Sequence, residues 1–94
     1  MTMINLNTTL QRRADLISAD MDGDVVMLDV EKGKYFGLNA VGAHIWEAIE
    51  TPQNVSDLCT QVETAFEVSR DVCETDTLAI LKDMHGRGML HIID

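Results

Sequence analysis

The sequence has few of the residues that mark secreted or membrane-spanning proteins. It contains only 2 cysteines and 1 proline in 94 residues, and two cysteines are too few for the disulfide framework of a small secreted domain. It has no apolar run of about eighteen residues, and its N-terminus, MTMINLNTTLQRR, has no apolar signal core. We therefore expect a single-domain cytoplasmic protein without membrane contact.

Basic residues are also scarce. The chain has 7 Lys and Arg against 16 Asp and Glu, which gives a net charge of −9, and its densest basic stretch is Arg12 with Arg13. Affinity for nucleic acid comes from clustered Lys and Arg. The composition therefore predicts no nucleic-acid partner.

Motifs for catalysis or metal binding are absent. The sequence has no GxSxG, P-loop or GxGxxG pattern. Its histidines and cysteines form no CxxC or HxxxH pair. Cys59 and Cys73 each fall within an apolar helical pattern, so we expect both to be buried, and a redox pair would require Cα atoms within about 7 Å. The sequence predicts no enzyme, no catalytic residue, no metal and no cofactor.

The most informative stretch is GKYFGLNAVGAHIWEAI, residues 33–49. Its first part, Lys34–Leu38, predicts a strand, and Asn39 is a typical helix N-cap. Apolar residues then recur at i, i+4, i+7 and i+8, the spacing of one helix face. The sequence therefore predicts a strand that runs directly into a helix, at residues 40–50.

Other patterns predict an α+β fold. A strand that begins at Leu16, a second at residues 25–30 and the return strand Lys34–Leu38 form an antiparallel meander, with a hairpin turn at residues 31–33. Asn54 and Ser69 are predicted caps of a second helix and of a third at residues 70–85, before an extended segment at 89–93. We predict a winged helix-turn-helix-like domain at residues 14–94, with residues 1–13 as a flexible arm or short pairing segment.

The third strand of this meander has one unpaired edge. It contains no proline, Lys34 is its only charge, and Gly37 permits close approach of another backbone. Tyr35 and Phe36 point to opposite faces because side chains alternate along a strand, and the sequence leaves open which one faces the helices. An open edge beside an apolar helix is suited to binding an extended peptide.

The sequence resembles the PqqD-like family of recognition domains for ribosomally synthesised and post-translationally modified peptides (RiPPs). The resemblance is carried by DGDVVMLDVEKGKYFGLNAVGAHIWEAIE, NVSDLCTQVETAF and DTLAILKDMHGRGML, and GKYFGLNAVGAHIWE is its most specific part. A free-standing domain of this size is most similar to the leader-binding B1 proteins of lasso-peptide clusters.

The resemblance implies a non-catalytic function. Members of the family bind the leader of a precursor peptide as an added strand on the third strand, packed against the third helix. They deliver it to a leader peptidase, a transglutaminase-like cysteine protease, and to an asparagine-synthetase-like cyclase. Carried over by position, the peptide-binding residues are Val26, Leu28, Lys34, Tyr35, Phe36, Gly37, Leu38, Cys73, Asp76, Thr77 and Ile80.

Two other interpretations stay open at this point. A winged-helix DNA-binding regulator has the same topology, but it requires a basic third helix, and residues 70–85 are acidic. A small thiol or metal enzyme would have to use Cys59, Cys73 and the histidines.

Overall fold

The computed structural model describes residues 4–14, 16–21, 24–29 and 33–93. Within these ranges the chain forms six strands and three helices. The predicted α+β class is confirmed, with a three-stranded antiparallel sheet followed by three helices. The elements, in chain order, are β1 (Thr9–Arg12), β2 (Ile17–Met21), β3 (Asp24–Asp29), β4 (Lys34–Leu38), α1 (Ala40–Ala48), β5 (Gln53–Asn54), α2 (Val55–Phe66), α3 (Arg70–Gly86) and β6 (Leu90–Ile92).

The predicted meander is the sheet β2-β3-β4. Its register places Val26 opposite Gly37 and Met27 opposite Phe36. Gly33 has a φ of +66°, the left-handed conformation that the predicted hairpin turn requires of a glycine. The other two positions of that turn, 31 and 32, lie outside the described residues.

All three predicted helix caps are confirmed. The side chain of Asn39 accepts from the backbone N–H of Gly42, that of Asn54 from Ser56, and that of Ser69 from Val72. Each bond satisfies a backbone donor that the first helical turn leaves without an intrahelical partner. Because Asn39 directly follows β4, the first cap fixes the direction in which α1 leaves the sheet.

A second sheet, β5-β1-β6, joins the N-terminus to the end of the chain. The sequence predicted its last strand but not β5, and it left residues 1–13 as an arm or pairing segment. In the structure β1 pairs with both neighbours, and Leu10 at its centre has an exposed fraction of 0%. Strands of four, two and three residues are too short to show an alternating pattern.

The two arginines of the densest basic stretch stabilise helix ends. The guanidinium of Arg12 donates to the carbonyl oxygen of Trp46 in α1 at 3.2 Å and lies 5.1 Å from the Trp46 ring centroid. That of Arg13 donates to the carbonyl oxygen of Gly88, just after α3, at 2.7 Å. Cations are favourable at helix C-termini, where the carbonyl groups point outward. β1 and Arg13, which directly follows it, therefore connect the end of α1 to the segment after α3.

The core lies between the helices and the inner faces of the two sheets. Helices α2 and α3 are also joined at the surface by Arg70, whose guanidinium bonds Glu74 at 2.7 Å and Glu63 at 3.3 Å. Within the described ranges, no helix combines the length and the apolarity needed to cross a membrane. The largest fully buried side chains include Trp46, Leu10, Met27, Ile45, Ile49, Leu58 and Leu81.

Leu10→Ala tests whether β1 is integral to the fold. We expect it to lower the free energy of unfolding by about 2–5 kcal/mol, because it leaves a cavity in a fully buried site. Gln11→Ala on the same strand removes only a solvent-exposed bond to the Glu50 carbonyl, so we expect a loss of less than about 1 kcal/mol. Urea unfolding measures both, and equal small losses would show that β1 contributes little to the core.

Candidate functional site

A groove of about 400 Å³ separates β4 from the C-terminal half of α3. One wall is β4 with the start of α1, and the other is α3 with the segment that follows it. Its lining residues are Tyr35, Phe36, Gly37, Leu38, Asn39, Gly42, Ile80, Asp83, Met84, Arg87 and Met89. Its volume is within the range of sites that hold small ligands or a few peptide side chains.

The β4 edge that borders this groove carries no paired strand among the described residues. In the sheet order β2-β3-β4, β4 is hydrogen-bonded to β3 alone. Every second residue of such an edge presents an unpaired N–H and C=O. A Cβ added at Gly37 would meet no atom within 4 Å, so the outer face of the sheet is open at the middle of β4.

The strand register resolves which aromatic side chain faces the helices. Phe36 pairs with Met27, which has an exposed fraction of 0%, and packs partly buried against the core. Tyr35 pairs with Leu28 on the other face and is 75% exposed. Phe36 therefore belongs to the helix-facing side of the groove, and the Tyr35 side chain to the outer face of the sheet.

The same register places two predicted residues elsewhere than expected. The resemblance implied that Val26 and Leu28 contact the bound peptide. The structure puts them on the outer face with Tyr35, whereas Val25 and Met27 point inward and are buried. Neither Val26 nor Leu28 lines the groove. β3 is apolar at both odd- and even-numbered positions, so the sequence alone could not predict which of its two faces points into the core.

The α3 wall lies farther along the helix than the sequence predicted. Ile80 lines the groove as expected, but Cys73 and Thr77 are buried with exposed fractions of 1% and 0%, and Asp76 is exposed. Helix α2 covers that part of α3, where the Cys73 thiol donates to the Cys59 carbonyl at 2.9 Å. The helix face that begins at Cys73 reaches β4 only at its end, through Ile80, Met84 and Arg87. That Cys73, Asp76 and Thr77 contact a peptide stays a prediction.

Arg87 joins the two walls of the groove. Its Nε donates to an Asp83 carboxylate oxygen at 3.0 Å, and its guanidinium carbon lies 4.7 Å from the ring centroid of Phe36. Sequence reasoning missed both residues, although Asp83 and Arg87 continue the helix face that contains Ile80. The groove thus combines apolar side chains, those of Phe36, Ile80 and Met84, with a polar rim at Asp83 and Arg87. An apolar centre with a polar rim is typical of binding surfaces.

The two cysteines lie in the interior, where α2 packs against α3. Both are free and buried, and desolvation by burial, followed by the nearby Cys73 thiol, raises the pKa of Cys59. A raised pKa keeps the thiol protonated, whereas the thiolate is the nucleophile and metal ligand. Among the described residues, no cluster of three or more His, Cys, Asp or Glu side chains is arranged to hold a metal ion.

The fold and the groove define an α+β domain of winged-helix type whose sheet edge opens beside a helix. The sequence profile of the family described as Coenzyme PQQ synthesis protein D (PqqD) matches residues 24–90. The chain therefore belongs to the PqqD family.

Two solved structures are similar over most of their length. The first, "TbiB1 in Complex with the TbiA(beta) Leader Peptide", is 28% identical and has a TM-score of 0.76, with 86% of this chain and 94% of that chain covered. The second, "Lasso peptide synthetase B1 complexed with the leader peptide", is 26% identical with a TM-score of 0.76, and 87% and 96% are covered. No curated protein sequence matches the chain.

The raised pKa of Cys59 predicts a loss of stability in alkali. The thiol of the unfolded chain ionises near its ordinary value of 9.0, whereas the folded protein retains that proton to higher pH. Stability from this group is therefore complete below pH 9 and falls as the pH rises above it, by at most about 1.4 kcal/mol per pH unit. Urea unfolding at about pH 8 and about pH 10 measures the decline.

Cys59→Ala supplies the matched control. It should be less stable at both pH values, because a buried side chain is truncated, but its decline between them should be smaller than that of the parent protein. Equal declines would show that ionisation of Cys59 does not couple to folding.

Proposed function

We propose that this protein binds the leader region of a ribosomally synthesised precursor peptide in a lasso-peptide pathway. The leader would add as a strand to the open edge of β4 and pack against α3. The single observation that carries the proposal is this open edge beside the groove, in a chain similar to two leader-bound structures.

Strand addition fits the chemistry of the two walls. The β4 edge offers unpaired backbone donors and acceptors, which bind any extended peptide irrespective of its sequence. Leader side chains on the helix-facing side would contact the apolar side chains of Phe36, Ile80 and Met84. The alternate side chains would lie beside Tyr35 on the outer face. Backbone pairing would thus supply affinity, and the apolar groove would select the sequence.

The predicted contact residues then divide by role. We assign direct contact to residues 34–38 and to Ile80, and we add Met84 and Arg87 to this set. Cys73 and Thr77 would support α3 from behind, since α2 covers them, and Asp76 would lie at the exposed end of the wall. Val26 and Leu28 would support β4 from the outer face.

The protein would act as a peptide chaperone in the cytoplasm and not as an enzyme. It would present the leader to a separate peptidase of the transglutaminase-like cysteine type and then to an asparagine-synthetase-like cyclase. The protonated, buried Cys59 thiol supports a non-catalytic function. The net charge of −9 would favour encounter with a basic leader or partner enzyme, an effect that salt weakens.

A DNA-binding regulator is disfavoured by the charges on α3. The helix contains Asp71, Glu74, Asp76 and Asp83 against Arg70 and Lys82. Of these cations, Arg70 is paired with Glu63 and Glu74. A helix with this balance would repel a phosphate backbone.

A binding titration tests the proposal. The probe is the fluorescein-labelled leader of the precursor encoded beside this gene, with a scrambled leader and duplex DNA as controls. We expect saturable binding of the leader alone, in the micromolar range or tighter. Binding of DNA without binding of the leader would identify a regulator, and the absence of both would refute the proposal.

Substitutions in the groove should weaken leader binding. We expect Ile80→Ala and Phe36→Ala each to cost about 1–3 kcal/mol of binding free energy, because they remove apolar contact from a buried anchor site. The matched control is Thr75→Ala on the exposed face of α3 opposite Met84, which should bind with parent affinity. Circular dichroism verifies folding, and parent affinity in both groove variants would mean that the peptide lies elsewhere.

Backbone methylation of the leader tests strand addition with the protein unchanged. In an added strand, alternate residues donate their N–H groups to β4. N-methylation at these positions should abolish binding, and at the intervening positions it should have little effect. Synthetic leaders methylated at one position each would show this two-residue period in their affinities, and a helical period or no period would exclude a bound strand.

A further inference from the structure

Among the described residues that line the groove, Arg87 is the basic one, and only part of its hydrogen-bonding capacity is in use. Its Nε bonds Asp83 at 3.0 Å, and its plane lies over Phe36 at 4.7 Å. Neither Nη group donates to another residue in the part of the chain that the structure describes. Each Nη carries two N–H groups, so several donors of this groove-lining side chain have no partner among the described residues.

The position of this guanidinium is held from two sides. Asp83 lies in the last turn of α3, four residues before Arg87, and its carboxylate pairs with the Nε edge of the guanidinium. The Phe36 ring fixes the plane through a cation–π contact. Because Arg87 follows α3 and Phe36 lies in β4, the side chain reaches from one wall to the other. A strand that enters the groove must pass against it.

An added strand creates a need for such donors. When a peptide pairs with β4 through one edge, its other edge turns towards α3 with unpaired C=O groups. Carbonyl groups that lose water without gaining a partner cost free energy. The apolar side chains of Ile80 and Met84 on that wall cannot satisfy them, whereas the Nη groups of Arg87 can.

We propose that Arg87 is a backbone clamp, which donates from its Nη groups to carbonyl oxygens on the outer edge of the bound leader strand. The inference rests on the proposed function and specifies how the second edge of the leader is recognised. The leader would be held between two backbone-directed sets of bonds, the β4 ladder on one side and the guanidinium on the other. Its ligand is therefore a neutral carbonyl and not a particular leader side chain.

The charges around Arg87 favour a carbonyl over a carboxylate as this ligand. Asp83 already neutralises the guanidinium, and the whole protein carries a charge of −9. A leader carboxylate would share one cation with Asp83 and would be repelled by the surrounding field. A neutral acceptor meets no such repulsion.

The test compares Arg87→Ala with Lys82→Ala in the leader titration. Lys82 is exposed on α3 and does not line the groove, so its variant also removes one positive charge but leaves the site intact. We expect Arg87→Ala to weaken binding about tenfold, as loss of charge-assisted bonds does, and Lys82→Ala to stay within about twofold. Arg87→Lys should not restore affinity, because an ammonium lacks the planar fork of Nη donors.

An alanine scan of the leader then separates backbone from side-chain recognition. For each leader variant, the ratio of the Arg87→Ala and parent dissociation constants is measured, which is a double-mutant cycle. A backbone clamp predicts a ratio that is constant across the scan, including positions with Asp or Glu. A ratio that falls to one at a single position would show that Arg87 binds that side chain, and would overturn the proposal.

A spectroscopic measurement excludes an indirect role through Phe36. In ¹⁵N-labelled protein, the guanidinium protons of Arg87 should shift and exchange more slowly when the leader binds, since the Nη groups become hydrogen-bonded. Unchanged guanidinium signals in a saturated complex would refute the clamp, as would parent affinity in Arg87→Ala. If the parent protein itself failed to bind the leader, the proposed function would fail and the clamp with it. Parent binding without an Arg87 effect would reject the clamp alone.

Discussion

The structure depends on one asymmetry in the meander sheet, where β4 is hydrogen-bonded to β3 on one edge and to no strand of the described residues on the other. The paired edge sets the register, and the register decides which side chains of β3 and β4 enter the core. The Asn39 cap then starts α1 without an intervening loop, so the free edge stays at the surface beside α3. Proteins usually protect a free edge with proline, charge or a bulge, and none of these lies in residues 35–38.

Much of the fold could be predicted from the sequence because its signals are local. Asn39, Asn54 and Ser69 act within one helical turn, and the glycine at position 33 acts within one hairpin. Such signals are independent of the rest of the chain, and the structure confirms each of them. The strands of the second sheet are different, because β1 is defined by partners more than forty residues away and carries no pattern of its own.

The candidate site was predictable to the level of its two walls and no further. The sequence located β4 and the face of α3 that contains Ile80. It could not assign Val26 and Leu28 to a face of the sheet, since β3 is apolar at both odd- and even-numbered positions. It also could not show that α2 covers α3 at Cys73 and Thr77. Both features depend on the contacts between elements, which a single sequence does not specify. Arg87 was missed because its neighbour Phe36 is distant in sequence.

Arg12 at the end of β1 and Arg13 directly after it limit how far the N-terminus can be shortened. The family profile begins at residue 24, and a chain trimmed to that boundary would keep both walls of the groove. It would nevertheless lose Arg12 and Arg13, which hold the last turn of α1 and the segment after α3. These helices form opposite sides of the groove, so the N-terminal strand acts as a brace that fixes its width. In a fusion to a second protein, the joining segment therefore has to leave residues 9–13 free to pair, and this requirement lies outside the region that the family profile matches.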